Sequence, residues 1–154
     1  DKEINQLKRL NIFKSIRKKV NEILLEKKSE KIIIMGDFND SPTNDDLREE
    51  LNTRSKQEEI NGSELYNPMV GLQSYKRGSM IFKKQWMLFD QQLFSSGFFK
   101  KESKLKYVKT DIFDADFLRN SGGKSTGLPF RTFVGGKYFG GYSDHFPVYT
   151  ILKY

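Results

Sequence analysis

Apolar residues recur every three or four positions through Ile4, Leu7, Leu10, Phe13, Ile16, Val20, Ile23 and Leu24. That spacing lays them along one stripe and predicts a helix over about residues 4–25. Lys8, Arg9, Lys14, Arg17, Lys18 and Lys19 fall mostly off the stripe, a solvated face more readily than a phosphate-binding ridge. Next comes a short run rich in β-branched residues, Ile32-Ile33-Ile34-Met35, ending in Gly36-Asp37-Phe38-Asn39-Asp40. Runs of that length bounded by turn formers predict a buried strand. A helix leading straight into such a strand is half of a βαβ unit, whose first strand would lie upstream of Asp1.

Further along, Ser41-Pro42-Thr43-Asn44 predicts a second helix start, with serine or asparagine as cap, Asp45 and Asp46 in its first turn, and Leu47 and Leu51 as its apolar contacts. Residues 52–61 read as helix tail and exposed loop, and residues 64–72 mix signals. Residues 74–77 and 80–82 read as strands about an Arg77-Gly78-Ser79 turn. Residues 85–95 read as one strand interrupted by Asp90, Gln91 and Gln92. Residues 113–118 suggest a short amphipathic helix, residues 131–134 a short strand, and residues 135–141 a flexible aromatic loop. The chain ends in a strand over residues 145–152, with Pro147 near its start, where proline is tolerated. Mixed helices and strands without a repeat predict an α/β or α+β layered fold.

Three positions in this pattern carry unusual chemistry. Asp37 and Asn39 are two apart, so in an extended chain both side chains leave on the same side at the end of a strand. Function in layered α/β folds concentrates at such strand ends. Asp90 interrupts an apolar run, which is costly without a hydrogen-bonding partner unless it marks a strand end or bulge.

The totals narrow the partners more than the fold. A chain of 154 residues is one domain at most, or part of a larger one. The net charge of +7 points to an anionic partner (nucleic acid, a phosphorylated small molecule or an acidic membrane surface), although such a charge also serves solubility. The lack of cysteine excludes disulfides and thiolate metal sites. No apolar run approaches the roughly 18 residues that span a membrane. His145 is the single histidine, following a glycine-rich loop and Ser143-Asp144. Carboxylates with one carboxamide, one imidazole and no thiol form a hard-ligand set suited to Mg²⁺ or Mn²⁺. Sites of that kind hydrolyse phosphate esters by aligning water and neutralising developing charge.

Three segments in order, Gly36-Asp37-Phe38-Asn39, Phe89-Asp90-Gln91-Gln92-Leu93-Phe94-Ser95 and Ser143-Asp144-His145-Phe146-Pro147-Val148, resemble the motifs of the endonuclease/exonuclease/phosphatase superfamily. The resemblance covers residues 30–154, and the first helix fits the one that precedes the Gly-Asp-Phe-Asn strand. It implies an α/β fold, the C-terminal half of a DNase I-like four-layer α/β sandwich with a mixed sheet flanked by helices. Residues 1–154 would be a single partial domain. It implies further that Asp37 orients or deprotonates the attacking water, that Asn39 hydrogen-bonds the phosphate or nucleophile, and that Asp144 binds Mg²⁺ (Mn²⁺ also possible), with Asp37 and Asn39 beside it as metal-site residues. His145 would stabilise the pentacovalent phosphorus or assist the leaving group, with its tautomer fixed by Asp90. Pro129-Phe130-Arg131-Thr132 also looks like a family element near the site.

The family's first half supplies an Asn, a metal-binding Glu and a second His, none of which has a counterpart upstream of Asp37. The expected activity is therefore metal-dependent hydrolysis of phosphate esters, as a nuclease or phosphatase, completed by a missing N-terminal half. The substrate could be nucleic acid, an inositol phosphate or a phospholipid. The competing expectation is a non-catalytic anion- or nucleic-acid-binding module on the same half-fold, holding its ligand with Arg17, Lys18 and Lys19.

Overall fold

The computed structural model describes residues 2–74 and 77–154. Its first element, α1 (Lys2–Glu26), realises the stripe. Phe13, Val20 and Leu24 are buried, with Ile16 packed beside them, against Phe38, Leu47, Leu51, Leu65 and Leu93. Each such side chain removed from water contributes about 1.5–3 kcal/mol. Ile4 and Leu7, in the first turns of the helix, stay exposed. No helix among the described residues is long and apolar enough to cross a membrane.

The strand after α1 is β1 (Ile33–Asp37). It leads to α2 (Asp45–Glu50), then to the two-residue strands β2 (Thr53–Arg54) and β3 (Leu65–Tyr66). Asn44 is the α2 cap, its side chain accepting the Leu47 N–H at 3.3 Å, while the Ser41 hydroxyl turns instead to Thr43 and Gln73. Asn44→Ala should lower stability by about 1 kcal/mol, read as a shift in urea midpoint with unchanged slope.

Helix α3 (Met69–Ser74) follows. Of the strand expected over residues 74–77, Ser74 closes α3 instead, and residues 75 and 76 lie outside the described residues. The strands β4 (Met80–Phe82) and β5 (Gln85–Met87) form a hairpin that turns at Lys83 and Lys84, not at Gly78. Gly78 has a different task, since a Cβ there would collide with the Met87 backbone. The single strand expected over residues 85–95 is thus two, β5 and β6 (Asp90–Ser95), with Asp90 at the start of the second. That outcome is the strand end allowed above.

Strand order in the main sheet is β1-β6-β3-β2, antiparallel except for the parallel β2–β3 pair. The sheet is therefore mixed, as expected, but β1 lies at its edge with Met35, Gly36 and Asp37 exposed. A second layer comes from β7 (Lys106–Ile112) paired with β10 (Val148–Lys153). Between them a small hairpin joins β8 (Phe133–Val134) to β9 (Lys137–Tyr138) where an open loop was expected. Gly135 and Gly136 both take positive φ, 56° and 80°, as a tight two-residue hairpin turn requires. The helix expected over residues 113–118 reduces to a single 3₁₀ turn at Asp116–Leu118.

Two side-chain bridges tie the layers together. Gln92 on β6 donates to the Val148 carbonyl at 3.2 Å and accepts from the Thr150 hydroxyl, which also meets Thr110 at 2.7 Å. A second core of Met69, Leu88, Ile112 and Phe146 fills the space beside that bridge, with Trp86 stacked on Phe146 at 5.9 Å.

Candidate active site

Strand β1 ends in a turn that holds its own acid. The Asp37 Oδ1 accepts the Asn39 N–H at 2.8 Å, and Asn39 adopts φ 49°, a left-handed conformation that asparagine tolerates. The strand ends at Asp37 and the chain is not extended through Asn39, so the alternation expected to send both side chains to one side does not hold here. Both are exposed, while Phe38 between them is buried in the α1 core.

Asp37 lies directly opposite Asp90 in the β1–β6 register. Directly opposed residues of an antiparallel pair project from the same face. Asp90 shares that face with Gln92, two positions on, which reaches β10; the face is therefore the one turned away from α1. Two like charges so placed repel each other unless one finds cationic or donor partners.

Asp90 finds two. The His145 Nδ1 stands 2.6 Å from its Oδ2, and the Ser79 hydroxyl donates to the same oxygen. A carboxylate only accepts, so Nδ1 carries the proton and Nε2 is the nitrogen left for other chemistry. The pair is four-fifths buried, with side-chain exposures of 22% for His145 and 20% for Asp90.

The backbone holds the imidazole on both sides. The Ser143 hydroxyl accepts the His145 N–H at 3.0 Å, His145 bridges Met80 of β4, and the Phe146 N–H donates to the Ser79 carbonyl at 2.7 Å. Phe146 is the anchor, 1% exposed in the second core.

A buried amide relay supports the β1 turn from below. Asn67 accepts the Met69 N–H at 3.0 Å and donates to Gln91 Oε1 at 3.0 Å; Gln91 in turn donates to the Asp40 carbonyl at 2.8 Å. Arg9 of α1 reaches the Asp40 carboxylate at 3.3 Å. Gln91 and Gln92 are thus buried with both ends of each amide occupied. Ser79 and Asn67 escaped sequence reasoning, because their partners lie 11 and 24 residues away across turns that carry no motif.

The candidates for metal binding are less gathered. Among the described residues no three or more Asp, Glu or His come together as a metal-holding cluster. The exposed oxygen donors are the Asp37 carboxylate, the Asn39 amide and the Asp144 carboxylate, and no described residue bonds to the Asp144 side chain. Mg²⁺ is commonly held by one or two carboxylates, waters and substrate phosphate, so this donor set suits a hard divalent cation. The basic ridge of α1 is largely committed elsewhere. Arg17 donates to the Ser63 and Leu51 carbonyls at 2.7 and 3.3 Å, burial holds its guanidinium below its ordinary pKa, and Lys19 pairs with Glu22.

Comparison with known families matches residues 2–154 to the model of the endonuclease/exonuclease/phosphatase family. No curated protein and no solved structure matches the chain.

Proposed function

The chain belongs to the endonuclease/exonuclease/phosphatase family, whose members hydrolyse phosphate esters, and on that premise we propose a metal-dependent phosphoesterase acting by in-line attack of water. The observation that carries this reading is the His145–Asp90 contact at 2.6 Å, on the strand end that faces Asp37.

In this reading Asp37 orients the attacking water and takes its proton, and the Asn39 amide holds a phosphoryl oxygen. His145, with Nδ1 fixed by Asp90, presents Nε2 to the phosphoryl group or its leaving oxygen. Ser79 keeps the Asp90 carboxylate turned toward the ring. Asp37, Asn39 and Asp144 would hold Mg²⁺ or Mn²⁺, which when bound supplies charge neutralisation at the phosphoryl oxygens.

The reading includes a partner half. Among the described residues strand β1 pairs on one side only, and Met35 on its site-bearing face is 65% exposed. An apolar edge strand left open is a template for pairing, which suits a polypeptide that would add the expected Asn, Glu and His.

The test is p-nitrophenolate release from bis(p-nitrophenyl) phosphate by the chain together with that half. The rate should require Mg²⁺ or Mn²⁺ and vanish with EDTA. Asp37→Ala should lower it by about 10²–10⁴-fold. A rate indifferent to EDTA and to Asp37→Ala overturns the reading.

A further inference from the structure

Beside His145 lies a cavity of about 320 Å³ that none of the catalytic assignments uses. Ile81, Leu128, Pro129, Val134 and Phe139 make its walls predominantly apolar. It adjoins the catalytic pair through two short connections. Ile81 follows Met80, which bridges His145, and the Phe130 carbonyl accepts the N–H groups of Tyr142 and Ser143 at 2.8 and 3.3 Å. Larger clefts of about 630 and 580 Å³ contain none of the proposed catalytic residues.

Three polar groups enter this apolar space. Arg131 lines it, and alone among the arginines its side chain has no bond or ion pair with a described residue. The others are held by Asp40, Ser63, Asp45, Thr53, Asp111 and Asp114 in turn. Asn120 and Ser125 also line the cavity, and the Asn120 amide nitrogen and the Ser125 hydroxyl have no described partner. A guanidinium without a described partner calls for an anion, and two donors without described partners at an apolar wall suit the polar edge of a flat ring.

We propose that this cavity receives the base of an unpaired nucleotide, while Arg131 takes a phosphate next to the one being cleaved. The proposal rests on the phosphoesterase reading and names its substrate class as single-stranded nucleic acid. A polyol such as inositol would bury hydroxyls against Ile81, Leu128 and Val134 without partners, at a cost in free energy. A base presents an apolar face to those residues and to the Phe139 ring, and hydrogen-bonding groups only at its edge. A base inside a duplex cannot enter such a cavity without leaving its stack. The net charge of +7 favours the same polyanion.

The experiment is fluorescence anisotropy in EDTA, so that binding is read without turnover. The probes are a fluorescein-labelled short oligothymidylate and an abasic oligomer of equal length. The full chain should bind the thymidylate about tenfold more tightly than the abasic strand. Phe139→Ala and, independently, the charge-neutral Val134→Asn should erase that preference while leaving abasic affinity unchanged. Arg131→Gln should weaken both probes and reduce the salt slope by about one. Equal affinity for the two probes, or a preference that survives both wall substitutions, overturns the proposal. Phe139-dependent retention on phosphatidylcholine–phosphatidylserine vesicles without base preference overturns it in favour of a lipid surface. Asp37→Ala separates the two readings. It should keep the base preference and lose hydrolysis; if hydrolysis survives, the phosphoesterase reading fails while the base preference still decides the subsite.

Discussion

His145→Ala should lower kcat/KM for phosphate-ester hydrolysis by about 10²–10⁴-fold, the range of a positioned acid or base. Asp90→Asn should lose nearly as much, although its side chain keeps the same shape. The amide can present its NH₂ to Nδ1, which then accepts, and the proton moves to Nε2, reversing what the ring offers the substrate. Because the two residues act as one unit, the double variant should be no worse than the worse single variant. Ser79→Ala, which removes only one of the two donors to the Asp90 Oδ2, should cost about tenfold and leave the dependence on metal concentration unchanged. Thermal denaturation of each variant checks that the loss is not unfolding. Losses that multiply in the double variant would separate the two residues and remove the pair as the basis of the mechanism.

The parts of this site that could be read from the chain are those whose chemistry is local. The apolar run into Gly36-Asp37-Phe38-Asn39 announces a strand end with a carboxylate, because both the strand and the acid lie within a few residues. Asp90 announces a partner, because a carboxylate in an apolar segment is costly without one. That the partner is His145, 55 residues later, follows from family resemblance and from no periodicity.

What could not be read depends on pairing at a distance. β2 and β3 are two residues each and exist only through pairing with distant segments, β2 with β3 and β3 with β6. β7 has no legible strand pattern, since Lys106-Tyr107-Val108-Lys109-Thr110-Asp111-Ile112 mixes charge through its length and leaves Thr110 and Ile112 as its buried positions. Burial also raises the Tyr107 hydroxyl to about 12, and edge contacts with Phe94 and Tyr66 fix its ring from the main sheet. The β8–β9 hairpin had a local signal in Gly135-Gly136, which was outweighed by the glycines and aromatics around it. The exposed position of β1 was hidden for the opposite reason. Its sequence is that of an interior strand, and its place at the edge is a property of the sheet.

Gly141→Ala should be the most damaging conservative substitution outside the catalytic residues. A Cβ at Gly141 would run into the carbonyl carbon and oxygen of Phe130 and the carbonyl oxygen of Arg131. These are backbone atoms, and rotating a side chain cannot relieve the overlap. The two strands of chain are also locked to each other. Phe130 accepts from Tyr142 and Ser143, and the Thr132 hydroxyl donates to the Gly141 carbonyl at 2.9 Å and lies 3.2 Å from that of Tyr142. Relief therefore has to move residues 141–143, and with them Asp144 and His145. The overlap should cost about 1–3 kcal/mol of stability, read from the urea midpoint. A displacement of His145 by about 1 Å should cost about 10²-fold in kcat/KM at temperatures where the variant remains folded. Gly135→Asn is the matched control, because its φ of 56° suits asparagine and nothing lies within 4 Å of an added Cβ. That variant should stay within about 0.5 kcal/mol of the parent. If Gly141→Ala behaves like Gly135→Asn in both measurements, the contact between the Phe130–Arg131 segment and residues 141–143 does not position the histidine.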